Sequence, residues 1–73
     1  MSIFLKRIRD LREDHDETQE YIADYLKIDR KTYNRIERGI APLKFEIAVQ
    51  IARHYNISLD YIAGFTDVSK KVY

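Results

Sequence analysis

Few side chains in this sequence are of a type that does covalent chemistry, and none is spaced for it. The two histidines, His15 and His54, lack the repeated acid–histidine spacing of a zinc-binding helix, and there is no cysteine. No glycine-rich phosphate loop occurs, and Ser2, Ser58 and Ser69 sit in no motif that would activate a hydroxyl. The residues offer no catalytic centre, metal site or cofactor site. His54, beside Tyr55, reads as a surface or rim residue, and His15, between Asp14 and Asp16, as a solvated residue at a helix end. What stands out is the placement of charge. Residues 10–24 hold seven acids (Asp10, Glu13, Asp14, Asp16, Glu17, Glu20, Asp24) against Arg12, a net of −6. Residues 27–44 hold six bases (Lys27, Arg30, Lys31, Arg35, Arg38, Lys44) against Asp29 and Glu37, a net of +4. In a chain of net charge +1, such a local basic stripe suits a partner that presents anionic groups on one side only. The plainer reading of the same pattern is two solvated helix faces.

The elements that would carry these charges are helices. Seventy-three residues make one domain, with no room for a catalytic domain beside a regulatory one. At this length about 60% of the unfolded surface can be buried, so the core is thin. Two glycines, one proline and the lack of strand-like alternation point to an all-α chain. Apolar residues recur at i, i+3, i+4 spacing in five bursts: Phe4, Leu5, Ile8 and Leu11; Ile22, Ala23 and Leu26; Tyr33 and Ile36; Ile47, Ala48, Ile51, Ala52 and Tyr55; and Leu59, Ile62 and Ala63. Thr18, Asp29 and Ser58 stand just before three of the bursts as N-caps, without the following Glu or Gln of a capping box. Gly39 and Gly64 close two of them. Five helices follow, near 2–14, 18–26, 29–38, 44–55 and 58–64, in a compact bundle with a short tail at 65–73. No apolar segment approaches the ~20 residues needed to span a bilayer. The N-terminus places apolar residues before charge, the reverse of a secretory signal.

Only Lys27 and Ile28 separate the second and third helices, so the chain turns sharply there. Short helices meeting through such a turn form a helix-turn-helix. The close crossing needs a small residue, which Ala23 supplies. The turn needs a left-handed residue, and Lys27 takes that place at about 1–2 kcal/mol of strain. From about Ile3 to Asp67 the chain resembles the phage-repressor (Cro-like, XRE-type) helix-turn-helix family. The resemblance is carried by Leu11-Arg12, Thr18-Gln19-Glu20, Ile22-Ala23, the run Arg30–Gly39, and Asn56–Gly64. The ordered set over some sixty residues is what is specific, not any one piece.

The resemblance implies a single domain, 1–73, with its helix-turn-helix at 18–38. It implies a regulator of duplex DNA, of repressor type, reading the major groove with helix 29–38. Arg30, Lys31, Asn34 and Arg35 would then meet base edges, since Arg and Lys pair with guanine and Asn with adenine. Thr18, Gln19, Thr32, Arg38 and Lys44 would hold phosphates. Thr18 has capping as a second reading. Arg12 and Glu37 fall where the family carries a partly buried ion pair; the alternative is two unrelated surface charges. Tyr61, Phe65, Val68, Val72 and Tyr73 would form a two-fold patch, for a homodimer on a pseudo-palindromic operator, or else dock on their own monomer. The implied location is cytoplasmic, of bacterial or phage-encoded type, with no membrane contact.

Departures from the family pattern have their own consequences. Asp16 and Glu17 replace the Gly and apolar residue expected before Thr18, so the hydrophobic staple onto Ile22 is missing. Asp16, Glu17 and Glu20 are expected near the phosphate path, where they would repel it. Tyr33 stands where an aliphatic residue is commoner, with its hydroxyl expected at the groove. The tyrosines at 21, 25 and 33 also allow single-strand stacking, though helical spacing explains them as core and rim. Two other readings stay open. One is a protein-binding use of the same fold (antitoxin- or anti-repressor-like) through the acidic stretch, with weak DNA contact; a protein antagonist is a further candidate partner. The other is the DNA-binding fragment of a longer regulator.

Overall fold

The computed structural model describes residues 3–68, and helices are the regular elements found there: α1 (Ile3–Asp14), α2 (Gln19–Leu26), α3 (Arg30–Glu37), α4 (Phe45–Tyr55) and α5 (Leu59–Ala63). Each begins within one residue of its expected start. Thr18 and Ser58 have extended backbones, and their hydroxyls accept the N–H groups of Tyr21 and Tyr61, both at 3.0 Å. Asp29 was expected to cap α3 in the same way. Its backbone is extended, but its exposed carboxylate makes no capping bond.

One device ends all five helices. Asp16, Lys27, Gly39, Asn56 and Gly64 each have positive φ, between 55° and 87°. The next residue donates its N–H back to the carbonyl five residues earlier: Glu17 to Arg12, Ile28 to Ala23, Ile40 to Arg35, Ile57 to Ala52 and Phe65 to Asp60. Only two of the five reversing residues are glycine. Asp16 and Asn56 belong to the residue types that enter the left-handed region most readily. Lys27, at φ 60° and ψ 41°, has no such advantage and carries the strain that the short turn imposes.

The reversals fold the helices onto a single core of Ile8, Ile22, Ala23, Leu26, Tyr33, Ile51, Ala52, Tyr55, Ile57 and Ile62. α1 packs on α3 and α5, while α2 packs on α3 and α4. Ala23 is buried at the α2–α3 crossing, where a larger side chain would hold the helices apart. Ile57, outside every apolar burst, is buried because the α4 reversal turns it inward, whereas Ala63, inside a burst, is exposed. The end of α5 is pinned by Arg7. Its guanidinium lies 4.1 Å over the Tyr61 ring, donates to the carbonyls of Tyr61 and Thr66, and meets Asp67 at 2.7 Å. Among the described residues no helix is long and apolar enough to cross a membrane.

Lys27→Gly removes the strain, and the exposed side chain takes no buried contact with it. The unfolded chain regains some entropy, so the expected net gain is about 0.5–1 kcal/mol. For a domain this small, the midpoint of thermal unfolding followed by circular dichroism should rise by about 2–8 °C.

Candidate nucleic-acid interface

α3 has two faces with different tasks. Tyr33, Ile36 and Glu37 are buried, while Arg30, Lys31, Thr32 and Arg35 are exposed. Among the described residues no carboxylate lies within ion-pair distance of Arg30, Lys31, Arg35 or Arg38. The exposed face is therefore a row of unneutralised cations on a helix fixed from behind. Arg38 is the C-cap of α3, and Lys44 is the N-cap of α4. Lys44 and Thr32 line one shallow depression with Ile28, Ile36, Ala41, Pro42 and Ile47, so both lie along the flank of α3.

Glu37 does the fixing. Its side chain is 5% exposed, and Arg12, 13% exposed, reaches it from α1 with Nε at 3.0 Å and Nη2 at 3.1 Å. The Tyr33 hydroxyl donates to Glu37 Oε2 at 2.6 Å, and Gln19 Nε2 donates to Oε1 at 3.2 Å. Burial alone would push the Glu37 carboxyl up; the bonds from Arg12, Tyr33 and Gln19 outweigh it and hold the carboxyl below the usual range. The same contacts raise Arg12, chiefly through its bond to Glu37. Tyr33 is raised by its own burial and by that carboxylate. The expectation that the Tyr33 hydroxyl faces the groove is thus overturned: the residue is fully buried and its hydroxyl is spent on Glu37.

Gln19 links this cluster to the outer face. Its Oε1 accepts from Asn34 Nδ2 at 3.1 Å while its Nε2 serves Glu37. Asn34 is consequently half-buried, unlike its neighbours Lys31 and Arg35. A carboxamide carries two N–H donors and a carbonyl acceptor, so the bond to Gln19 still leaves one donor and the acceptor.

Glu17 differs from its expected position along a phosphate path. Its carboxylate turns inward, with His54 Nε2 at 2.9 Å from Oε2 and the Tyr55 hydroxyl at 2.7 Å from Oε1. The Glu17 carbonyl accepts Arg12 Nη1 at 2.9 Å. Where the family pattern has an apolar staple, this chain uses a polar tie from α4. His54 is accordingly not a rim residue: its side chain is 14% exposed, and it packs on Tyr25 with ring centroids 4.4 Å apart. His15 is exposed, with Nδ1 2.8 Å from the Leu11 carbonyl oxygen. Residue types alone assigned no role here to Tyr55 or Arg7, and placed Glu17 and His54 outside the polar network they form. The available signal was Glu17 itself, a charged residue in a place that normally buries an apolar one.

Of the residues expected in a two-fold patch, Phe65 (83% exposed) and Val68 (59%) are open, whereas Tyr61 is taken by Arg7. Val72 and Tyr73 lie outside the described residues. Phe45, 71% exposed, joins Phe65 along an apolar groove with Phe4, Leu43, Leu59 and Ile62.

A helix-turn-helix family model matches residues 8–62, and the chain belongs to that family. Among curated proteins, it is 34% identical over 65 residues to the uncharacterized HTH-type transcriptional regulator YobD of Bacillus subtilis (strain 168), covering 89% of this chain and 58% of that protein. It is 30% identical over 66 residues to the HTH-type transcriptional regulator ImmR of the same organism, covering 90% of this chain and 52% of that one. It is 32% identical over 57 residues to the cryptic phage CTXphi transcriptional repressor RstR of Vibrio cholerae, covering 78% and 51%. The chain thus spans about half the length of these relatives. No solved structure matches it.

Glu37→Ala strands the Arg12 charge and should cost about 3–5 kcal/mol, a large share of the roughly 4–11 kcal/mol expected for this length. Urea unfolding measures it. The pH dependence has a definite sign. Glu37 titrates lower folded than unfolded, so its contribution is full above the ordinary glutamate value of about 4.3 and is lost as pH falls through the folded value. Glu37→Gln should be less stable than the parent at neutral pH, with a shallower loss of stability in acid.

Proposed function

We propose that this chain binds duplex DNA sequence-specifically through α3 and acts as a transcriptional regulator, of repressor type. The observation that carries the reading is the split of α3 into a locked inner face and an outer row of unpaired cations at Arg30, Lys31 and Arg35. A helix of this kind, with cations free and backbone immobilised, is what major-groove readout requires. Two relatives named HTH-type transcriptional regulators and one named a phage transcriptional repressor support the same reading.

Arg30, Lys31 and Arg35 are assigned to guanine edges. Asn34 is assigned to adenine through the donor and acceptor that Gln19 leaves free. Thr18 and Gln19, at the start of α2, offer free N–H groups to a phosphate, with Thr32, Arg38 and Lys44 beside the same backbone. Two copies would meet through the Phe45–Phe65 groove and Val68, and so read a pseudo-palindrome with half-sites about one DNA turn apart. This reading makes the chain a non-enzymatic protein that works in the cytoplasm on the nucleoid.

Selection from a random duplex pool at physiological salt tests the proposal. The expected product is a pseudo-palindrome. Arg35→Ala should bind it about 10–100-fold more weakly, while Gln50→Ala, on the exposed side of α4, should bind normally. Six or more phosphate contacts should cut affinity by about a thousandfold between roughly 50 and 200 mM salt. No enrichment would sink the reading and favour a protein partner on the acidic face around Tyr21 and Tyr25.

The dimer has its own check. Phe65→Asp should leave the helical spectrum unchanged and shift sedimentation toward monomer. A wild-type chain that sediments as a monomer at high concentration would remove the two-fold part of the proposal.

A further inference from the structure

Folding sharpens the separation of charge that the sequence carries. Arg12 is the one base of the acidic stretch 10–24, and Glu37 is one of two acids in the basic stretch 27–44. These two bond to each other in the interior, at 13% and 5% exposure, so each leaves the surface of its own stretch. What remains outside is one-sided. Glu13, Asp14, Asp16, Glu20 and Asp24 are exposed from the end of α1 through α2. Arg30, Lys31, Arg35, Arg38 and Lys44 are exposed along and beside α3, with Asp29 the one exposed acid of that stretch. Among the described residues, Asp14, Asp16, Glu20 and Asp24 have no cation within ion-pair distance, and no ion pair joins the two surfaces within one chain.

The outer face of α2 carries more than acids. Tyr21 and Tyr25, one turn apart, are 55% and 45% exposed beside Glu20 and Asp24, themselves one turn apart. The His54 ring backs both tyrosines, with centroids 6.0 and 4.4 Å away, so the two rings are supported from the core side and open to solvent on the other. Supported rings next to carboxylates suit guanidinium groups, which stack on tyrosine and pair with carboxylates. Tyrosine and arginine are also the residues on which binding energy concentrates in protein interfaces. The chain itself presents such groups, at Arg30 and Arg35 of α3. At a net charge of +1 two copies do not repel as wholes, so the attraction between opposite surfaces decides.

We propose that, away from DNA, the acid–tyrosine face of α2 on one copy docks on Arg30, Lys31 and Arg35 of another, so that a second copy of this chain covers α3. The contact joins two different patches, and a duplex competes for one of them. Copies held to each other are thereby withheld from DNA, and the cations of α3 stay shielded from stray anions until a duplex displaces the neighbour. The contact is separate from the Phe45–Phe65 groove, which uses none of these residues. Pairing of the copies stands on surface charge, and only its competition with DNA rests on the DNA-binding reading.

Sedimentation equilibrium is run on the wild type and on Phe65→Asp, in which the groove contact is broken. The two salt concentrations are about 20 and 300 mM, between which the Debye length falls from roughly 20 to 6 Å. Both chains are expected to self-associate at the lower salt through a contact at least about tenfold weaker at the higher. Glu20→Gln with Asp24→Asn, and Arg30→Gln with Arg35→Gln, should each weaken it about tenfold. An equal mixture of these two double variants should pair again, because one keeps the α3 cations and the other the α2 acids. Circular dichroism of each variant separates loss of fold from loss of contact. A duplex should disperse the paired copies as it binds. The inference is overturned if Phe65→Asp is monomeric at low salt, if association ignores salt or either double variant, or if the mixture fails to pair. A duplex that binds without dispersing the copies overturns the competition. Copies that pair while no duplex binds overturn the DNA-binding reading and leave the contact between copies standing.

Discussion

Glu37 is a charge that should not be buried, and the arrangement of α1, α2 and α3 follows from making its burial tolerable. Taking a carboxylate out of water costs several kcal/mol unless donors replace the lost solvent. Arg12 supplies two of those donors, Tyr33 a third and Gln19 a fourth, and each comes from a fixed position on its own helix. A hydrophobic contact in the same place would tolerate sliding or rotation. The carboxylate does not, because a shift of an ångström or so breaks the bonds that offset its desolvation. α3 is therefore specified in rotation and in depth, and so is the face of it that is turned outward.

The network extends further than the ion pair. Arg12 also holds the Glu17 carbonyl, and the Glu17 carboxylate reaches His54 and Tyr55. Polar contacts thus run from α4 through the α1–α2 loop to α3, alongside an apolar core that is small for lack of residues to build it. In a thin core, directional bonds do a share of the specifying that larger domains leave to packing. Among the described residues no buried side-chain polar atom lacks a partner, so the network carries no orphan that would offset its benefit.

Helix number, order and approximate ends were legible in the sequence because amphipathic period and caps are local signals. Thr18, Ser58, Gly39 and Gly64 behave as their types suggest. Lys27 was legible for a different reason: the turn was too short for any other arrangement. Asp16 and Asn56 were not, since either residue is equally at home in a turn, a cap or a loop. At the site, the outward direction of Arg30, Lys31 and Arg35 followed from the apolar positions of Tyr33 and Ile36. The destinations of Glu17 and His54 did not follow, because each depends on a partner 37 or 38 residues away whose position only the tertiary fold sets. That of Tyr33 did not because its i+4 partner Glu37 is a buried carboxylate only once Arg12 reaches it from α1. Two of the three concern a carboxylate that the charge pattern had counted as solvated.

The bond between Gln19 and Asn34 has a consequence for how such a protein could diverge. Positions 30, 31 and 35 meet nothing behind them, so each is free to vary one residue at a time without disturbing the scaffold. Position 34 is different, because its amide is shared with a side chain that also serves the buried carboxylate. A new residue there withdraws a donor from Gln19 and, through it, loosens a partner of Glu37. Change at 34 is therefore coupled to change at 19. The outer face of α3 thus has three independently replaceable teeth and a fourth geared to the frame.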